Sequence, residues 1–350
     1  MLDLQALARE KTVIIFRLGS IGDTVISLPC LHAIAKATPN ARRLVLTNFP
    51  VNAKAAPLEA ILGPSGLIHG TMKFPAATRS PRQMWLLFKE LRRSGAKTLF
   101  FMTERRGVAA TWRDVLFFKL CGLKQIIGAP VTRALNQSRH LDSGDIEPEC
   151  ERLARCFSDS LSIDLNSQSS WDLNLTTAEK SRAAAILDPF NSKPFLAINM
   201  GGKLARQQWP VTHWLELVAK LRARLPGYGL LIIGAPDDFN QAARVAERWH
   251  AQFCVNACGQ LSPRESAAAV AHCRLFIGHD SGPMHLAAAV GARCVGLFGN
   301  NNPPRRWHPY GRDNVAIHRM SGIENIGVTE VEDVIFAQLA KPEWPVSTNG

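Results

Sequence analysis

No stretch of this 350-residue chain is apolar for long enough to cross a bilayer, since runs such as residues 230–234 fall far short of the roughly 20 residues that a spanning helix needs. A transmembrane helix is therefore excluded. The N-terminus also lacks the order of a secretory leader, because residues 1–10 carry Asp3 and Glu10 and lead straight into a strand-like run. The chain is expected to stay in the cytoplasm. Eight cysteines, at 30, 121, 150, 156, 254, 258, 273 and 294, include no CxxC pair, which argues against zinc and redox motifs and for reduced, buried thiols. Tandem repeats and low-complexity segments are lacking too. Acidic residues are scarce at one end only: residues 1–140 hold 7 Asp/Glu against 21 Lys/Arg, whereas residues 141–350 hold 22 against 20. The net charge of +12 thus belongs to the N-terminal part. Such a field suits nucleic acid, an acidic membrane face or a phosphorylated glycolipid, and ordinary solvated lysines and arginines account for it equally well.

What is present is alternation. The length and a 46% apolar composition point to two folded cores. Residues 12–16 form a β-rich run, 17–23 a glycine-bearing loop, and 24–38 a helical pattern ending before Pro39. Further strands are expected at 43–47, 98–102 and 125–127, and helices at 81–94 and near 149–162. Periodicity lapses in the polar stretch 166–174, which reads as a linker. It restarts with strands at 195–199, 229–233, 275–278 and 294–298, separated by helical patterns at 211–225, 238–249, 263–272 and 283–290. The expected organisation is an N-terminal Rossmann-like domain (1–170), a second one (171–327), and a C-terminal helix and tail (328–350). Each would be a parallel sheet covered by helices, with ligands in the cleft between the halves, facing the carboxyl ends of the strands.

The loops after those strands hold the candidate chemistry. Arg17-Leu-Gly-Ser-Ile-Gly-Asp23 lacks both the GxGxxG spacing and the Lys-Ser/Thr of a P-loop, leaving a tight turn that sets Asp23 at a helix start. A capping aspartate is the plain alternative. Gly278-His-Asp280-Ser281-Gly282-Pro283-Met-His285 joins an apolar strand to an Ala-rich helix, and a helix start of this kind favours an anion through its amides and dipole. Alternatively Asp280 or Ser281 caps the helix and His285 packs in the core. No third acidic or cysteine ligand lies near these histidines, so no metal is expected. The loop 199–210 offers two glycines with Lys203 and Arg206, able to neutralise a diphosphate or merely solvated. Asp237 and Asp238 either meet ribose hydroxyls or begin a helix.

In order and spacing these segments resemble glycosyltransferase family 9, the ADP-heptose:lipopolysaccharide heptosyltransferases. The likeness rests on Arg17-Leu-Gly-Ser-Ile-Gly-Asp-Thr-Val-Ile-Ser-Leu-Pro29 and on the run from Gly278 through His285-Leu-Ala-Ala-Ala to Ala292. Supporting pieces are Gln207-Gln-Trp-Pro210, Gly234-Ala-Pro236, Cys258-Gly-Gln-Leu261 and Leu297-Phe-Gly-Asn300. The resemblance implies a GT-B fold, inverting transfer from a nucleotide-sugar donor such as ADP-heptose, and no cofactor or required metal. It implies Asp23 as general base, Ser281, Gly282, Pro283 and His285 at the donor phosphates, and Asp280 near the sugar. Lys203, Arg206, Asp237 and Asp238 would complete the donor site. Arg17, Arg105 and Arg106 would meet an anionic glycolipid acceptor at the inner membrane surface, with no nucleic acid partner. Where the family usually carries Lys two residues before the Trp-Pro, this chain has Gln207, so a neighbouring cation must serve or the donor differs. The rival readings are a non-catalytic, membrane-associated nucleotide-fold protein and a sugar-nucleotide epimerase.

Overall fold

Short runs of Val, Ile, Leu and Phe alternate with amphipathic segments, and they build two parallel sheets. The computed structural model describes residues 3–48, 57–75, 80–142, 145–202 and 205–342. It divides into two compact units, Met1–Asn174 and Leu175–Gly350.

In the first unit the strands are β1 (Thr12–Phe16), β2 (Arg42–Thr47), β3 (Gly70–Lys73), β4 (Thr98–Phe101) and β5 (Gln125–Ile127). They lie in the order β3-β2-β1-β4-β5. Ile14 of β1 sits between Leu44 of β2 and Leu99 of β4, so its side chain meets apolar neighbours on both sides. One sheet face is covered by helices Pro81–Ser94 and Val108–Leu120, whose Leu87, Leu91 and Phe118 join Ile14, Phe16, Leu99 and Phe101 in one core. The helical pattern expected over 24–38 is interrupted: one helix covers Ile21–Val25 and the next begins at Leu28, with Pro29 in its first turn.

The second unit has β6 (Phe195–Asn199), β7 (Gly229–Ile233), β8 (Cys254–Asn256), β9 (Leu275–His279), β10 (Cys294–Phe298) and β11 (Val315–His318), in the order β11-β10-β9-β6-β7-β8. The helix Val328–Leu339 does not stand apart as a tail. Its Val331 and Ile335 are buried in the same core as Leu217 and Leu221 of helix Val211–Arg224.

Each sheet is wound outward in one direction and then in the other. The reversal falls between β1 and β4 in the first unit and between β6 and β9 in the second. At such a point adjacent strands send their following loops to opposite faces, which opens a crevice at the carboxyl edge.

A buried ion pair secures the first of these edges. Arg152, on helix Glu149–Cys156, is fully buried and donates through Nη2 to the Thr103 carbonyl at 2.9 Å and to Glu149 Oε1 at 2.5 Å. Removing one member of a buried pair leaves the other charge uncompensated. Glu149→Ala is therefore expected to lower unfolding stability by about 3–5 kcal/mol. Denaturant titration checks this, and a loss within the range of an ordinary surface substitution would contradict it.

Candidate functional site

The loop after β1 folds tightly over the side chain it delivers. Gly19 has φ +134°, and a Cβ added there would lie 2.5 Å from Asp23, so no larger residue fits. Asp23 stands in the first turn of helix Ile21–Val25, and its Oδ2 accepts from Ser20 N at 2.7 Å and Ser20 Oγ at 2.9 Å. The capping role is real, but Asp23 is also buried and has Arg17 Nη2 at 3.6 Å from Oδ1. Burial works against ionisation. The Arg17 charge and hydrogen bonds from Glu104 and Ser20 outweigh it, holding the carboxyl below its ordinary value. Asp23 is thus a carboxylate throughout the neutral range.

Arg17 is 1% exposed, with Nη1 donating to the Met102 carbonyl at 2.9 Å and Nη2 to the Asp23 carbonyl. It is turned inward, onto Asp23, and not presented to solvent as an acceptor contact. Arg106 is likewise engaged, with Nη1 2.8 Å from Asp114 Oδ2. Arg105 is exposed at the surface beside it.

Glu104 escaped the sequence reading. It follows β4 on the far side of the reversal from Asp23, just beyond the carbonyls of Met102 and Thr103 that Arg17 and Arg152 grip. Burial, a hydrogen bond with Asp23 and the Asp23 charge together push its carboxyl up to about 7, against the pull of Arg17. Asp23 and Glu104 thus form a carboxyl pair that shares one proton, with the negative charge on Asp23. A Glu amid basic residues, in Thr103-Glu-Arg-Arg106, carries no local signal of this. Only the strand order brings it to Asp23.

In the second unit the reversal between β6 and β9 gathers three loops. Asn199, at the end of β6, donates to the Ile233 carbonyl at 3.0 Å and accepts from Ser281 Oγ at 3.2 Å. Ser281 stands at the N-cap of helix Gly282–Ala289, yet its hydroxyl is directed to Asn199 and the His279 carbonyl and makes no cap hydrogen bond to the helix. Pro283 has no N–H to offer, so the first-turn amides are those of Gly282 and Met284. Asp280 is steadied by Asn302 Nδ2 at 2.8 Å, and His285 is buried with its ring edge-on to Trp307 at 6.0 Å.

His279 ties the neighbouring loop to this edge. It is wholly buried, its Nε2 accepts from Trp209 N at 3.0 Å, and burial lowers its pKa to about 4, so the ring is neutral. Trp209 in turn donates Nε1–H to the Ile326 carbonyl at 2.9 Å. The segment Gln207–Pro210 is thereby fixed against β9, with Arg206 exposed one residue before it. Lys203 lies outside the described residues. Asp238 sits between two glycines, with Oδ2 accepting from Ala235 N at 2.8 Å, and a Cβ on Gly201 would lie 2.1 Å from that oxygen. Asp237 is exposed beside it. Among the described residues no group of three His, Cys, Asp or Glu could hold a metal ion.

The shared proton has a pH consequence. Because the folded pKa of Glu104 is raised above the ordinary 4.5 to about 7, its protonated contribution to stability is complete below 4.5 and is lost as pH rises through 7. Glu104→Gln imitates the protonated form. It is expected to melt like the parent at pH 5 and above it at pH 8. Thermal melts at the two values test this, and an equal shift at both would count against the pair.

Residues 85–326 match the sequence profile of glycosyltransferase family 9 (heptosyltransferase). Lipooligosaccharide heptosyltransferase 2 of Haemophilus influenzae is 26% identical over 155 residues, 41% of this chain and 44% of that protein. Lipopolysaccharide heptosyltransferase 2 of Salmonella typhimurium is 25% identical over 135 residues, 37% of this chain and 38% of that one. The chain thus aligns with less than half the length of these curated relatives. Across nearly the whole chain the fold is that of a family 9 glycosyltransferase structure from Veillonella parvula, with a TM-score of 0.71 at 18% identity, covering 97% of this chain and 98% of that one. The E. coli ADP-heptose lipopolysaccharide heptosyltransferase II structure gives 0.66, also at 18% identity, over 94% and 98%. Two parallel α/β units of the GT-B class and a family profile covering more than half of the residues lead to one conclusion: this chain belongs to glycosyltransferase family 9.

Proposed function

We propose that the chain is an inverting glycosyltransferase that moves a sugar, a heptose from ADP-heptose, onto an anionic glycolipid of the lipopolysaccharide-core type. The observations that carry the reading are a buried, ionised Asp23 at the strand reversal of the first unit and, at that of the second unit, a helix start that its N-cap Ser281 does not cap. Asp23 takes the proton of the acceptor hydroxyl as that oxygen attacks the anomeric carbon. The Gly282 and Met284 amides, the Ser281 hydroxyl and the cations Lys203 and Arg206 stabilise the departing nucleoside diphosphate. Asp280 faces positive charge developing at the sugar, while Asp237 and Asp238 serve the nucleoside end.

The choice of ADP-heptose is supported by the E. coli heptosyltransferase structure with ADP-2-deoxy-2-fluoro heptose, which shares the fold at a TM-score of 0.63 and 16% identity, covering 93% of this chain and 99% of that one. The curated relatives are named as lipopolysaccharide and lipooligosaccharide heptosyltransferases. The basic charge of residues 1–140 suits an acidic acceptor at the inner membrane face, with exposed Arg105 following Glu104 in the chain. Gln207 replaces the expected lysine with a neutral amide, which shifts the leaving-group role to its neighbours.

Asp23→Asn keeps the shape of the loop and removes the base. With ADP-heptose and isolated core glycolipid, transfer is expected to fall on the order of 10²–10⁴-fold while ADP binding persists. Transfer at the parent rate would eliminate Asp23 as base. Arg206→Ala is expected to cost about tenfold or more in kcat with the acceptor KM unchanged, because its charge acts on the leaving group. A change confined to the acceptor KM would place Arg206 elsewhere.

A further inference from the structure

Eight large apolar side chains are exposed among the described residues, and five of them, Trp85, Leu86, Trp112, Leu116 and Leu120, lie on two helices. Each is between 54% and 63% exposed. The helices, Pro81–Ser94 and Val108–Leu120, precede and follow β4 and cover the same face of the first sheet. Single exposed apolar residues need no explanation, whereas a cluster on neighbouring helices does.

Helical spacing sorts the residues cleanly. Leu87 and Leu91 face the core, while Arg82, Trp85, Leu86, Lys89, Arg92 and Arg93 share the opposite face. On the second helix Thr111, Val115 and Phe118 are buried, and Trp112, Arg113, Leu116, Lys119 and Leu120 point outward. The outward faces thus repeat one composition: a tryptophan, leucines and lysine or arginine, with Glu90 as the exposed acid among them. Arg113 pairs with buried Asp114 at 3.0 Å, Lys89 lies 5.1 Å above the Trp85 ring, and Arg92 lies 5.6 Å from Phe88.

We propose that the outward faces of these two helices form a docking surface for an anionic lipid bilayer. Tryptophan and leucine enter the boundary between headgroups and acyl chains, and the surrounding cations meet the lipid charges. The excess of positive over negative side chains on the patch is the complement of an acidic membrane. A second protein copy carrying the same patch would bring like charges together, which disfavours self-association through it. The surface gives a location to the membrane-face acceptor proposed above, and it can be read without any transfer reaction, so its failure leaves that reaction standing.

The test is flotation of the full chain with vesicles. The parent protein is expected to float with vesicles of phosphatidylcholine and phosphatidylglycerol in equal parts and to stay behind with phosphatidylcholine alone. Two variants attack the surface separately: Trp85→Ser with Leu116→Ser removes apolar contacts, and Lys89→Glu with Arg93→Glu reverses charge. Each is expected to reduce the bound fraction on the order of tenfold while melting as the parent does, since the residues are exposed. Phe239→Ser, an exposed position in the other unit, should leave flotation unchanged. The proposal is overturned if the parent ignores acidic vesicles or if both face variants bind like the parent. Sedimentation showing that the parent is a dimer dispersed by Trp85→Ser with Leu116→Ser would likewise overturn it, assigning the face to a second copy.

Discussion

A guanidinium shut away from water has to find its partners within the protein, and Arg17 organises the first unit around that requirement. It stands one residue beyond β1, reaches the Met102 carbonyl beyond β4, and holds Asp23 by both its carbonyl and its carboxylate. One side chain therefore sets the separation of the two strand ends at the reversal and the charge of the carboxylate beside them. Arg152 does similar work one residue further along, at Thr103. Rigid elements hold the Asp23 carboxylate in place, and its charge state follows from the same contacts.

The second unit solves the equivalent problem without charge. His279 is neutral and buried, and it fastens the Trp209 backbone to the end of β9, as Asn199 fastens Ser281 to the end of β6. Polar groups that a helix start would ordinarily use for its own satisfaction are committed to the sheet instead. The two units thus share a winding and differ in what their crevices offer: a carboxylate with a shared proton in one, hydrogen-bond donors in the other.

Much of this was legible from the residues. The loops 17–23 and 278–285 read as strand-to-helix turns, and the folded chain has them there. The alternation over 195–298 yields β6, β7, β9 and β10 at the expected places. Strands β3, β8 and β11 went unread because they are only three or four residues long and half-buried, too short for an alternating pattern to mark them. Helix Val108–Leu120 went unread for the opposite reason: apolar residues lie all round it, and its period vanishes. Arg17 was expected to meet the acceptor, and nothing in its local sequence says it is buried. Glu104 needed the strand order. Each miss is a property of tertiary contact, which local pattern does not encode.

The helix Gly282–Ala289 carries a consequence for how the protein keeps its fold. A capping side chain contributes on the order of 1 kcal/mol to a helix, and here Ser281 is turned aside. Under the proposed function, the donor phosphates bound at those amides would stabilise the folded state by about 2.7 kcal/mol when the donor stands at a hundred times its dissociation constant. On that reading, supply of the donor would then set how long the second unit resists unfolding and proteolysis.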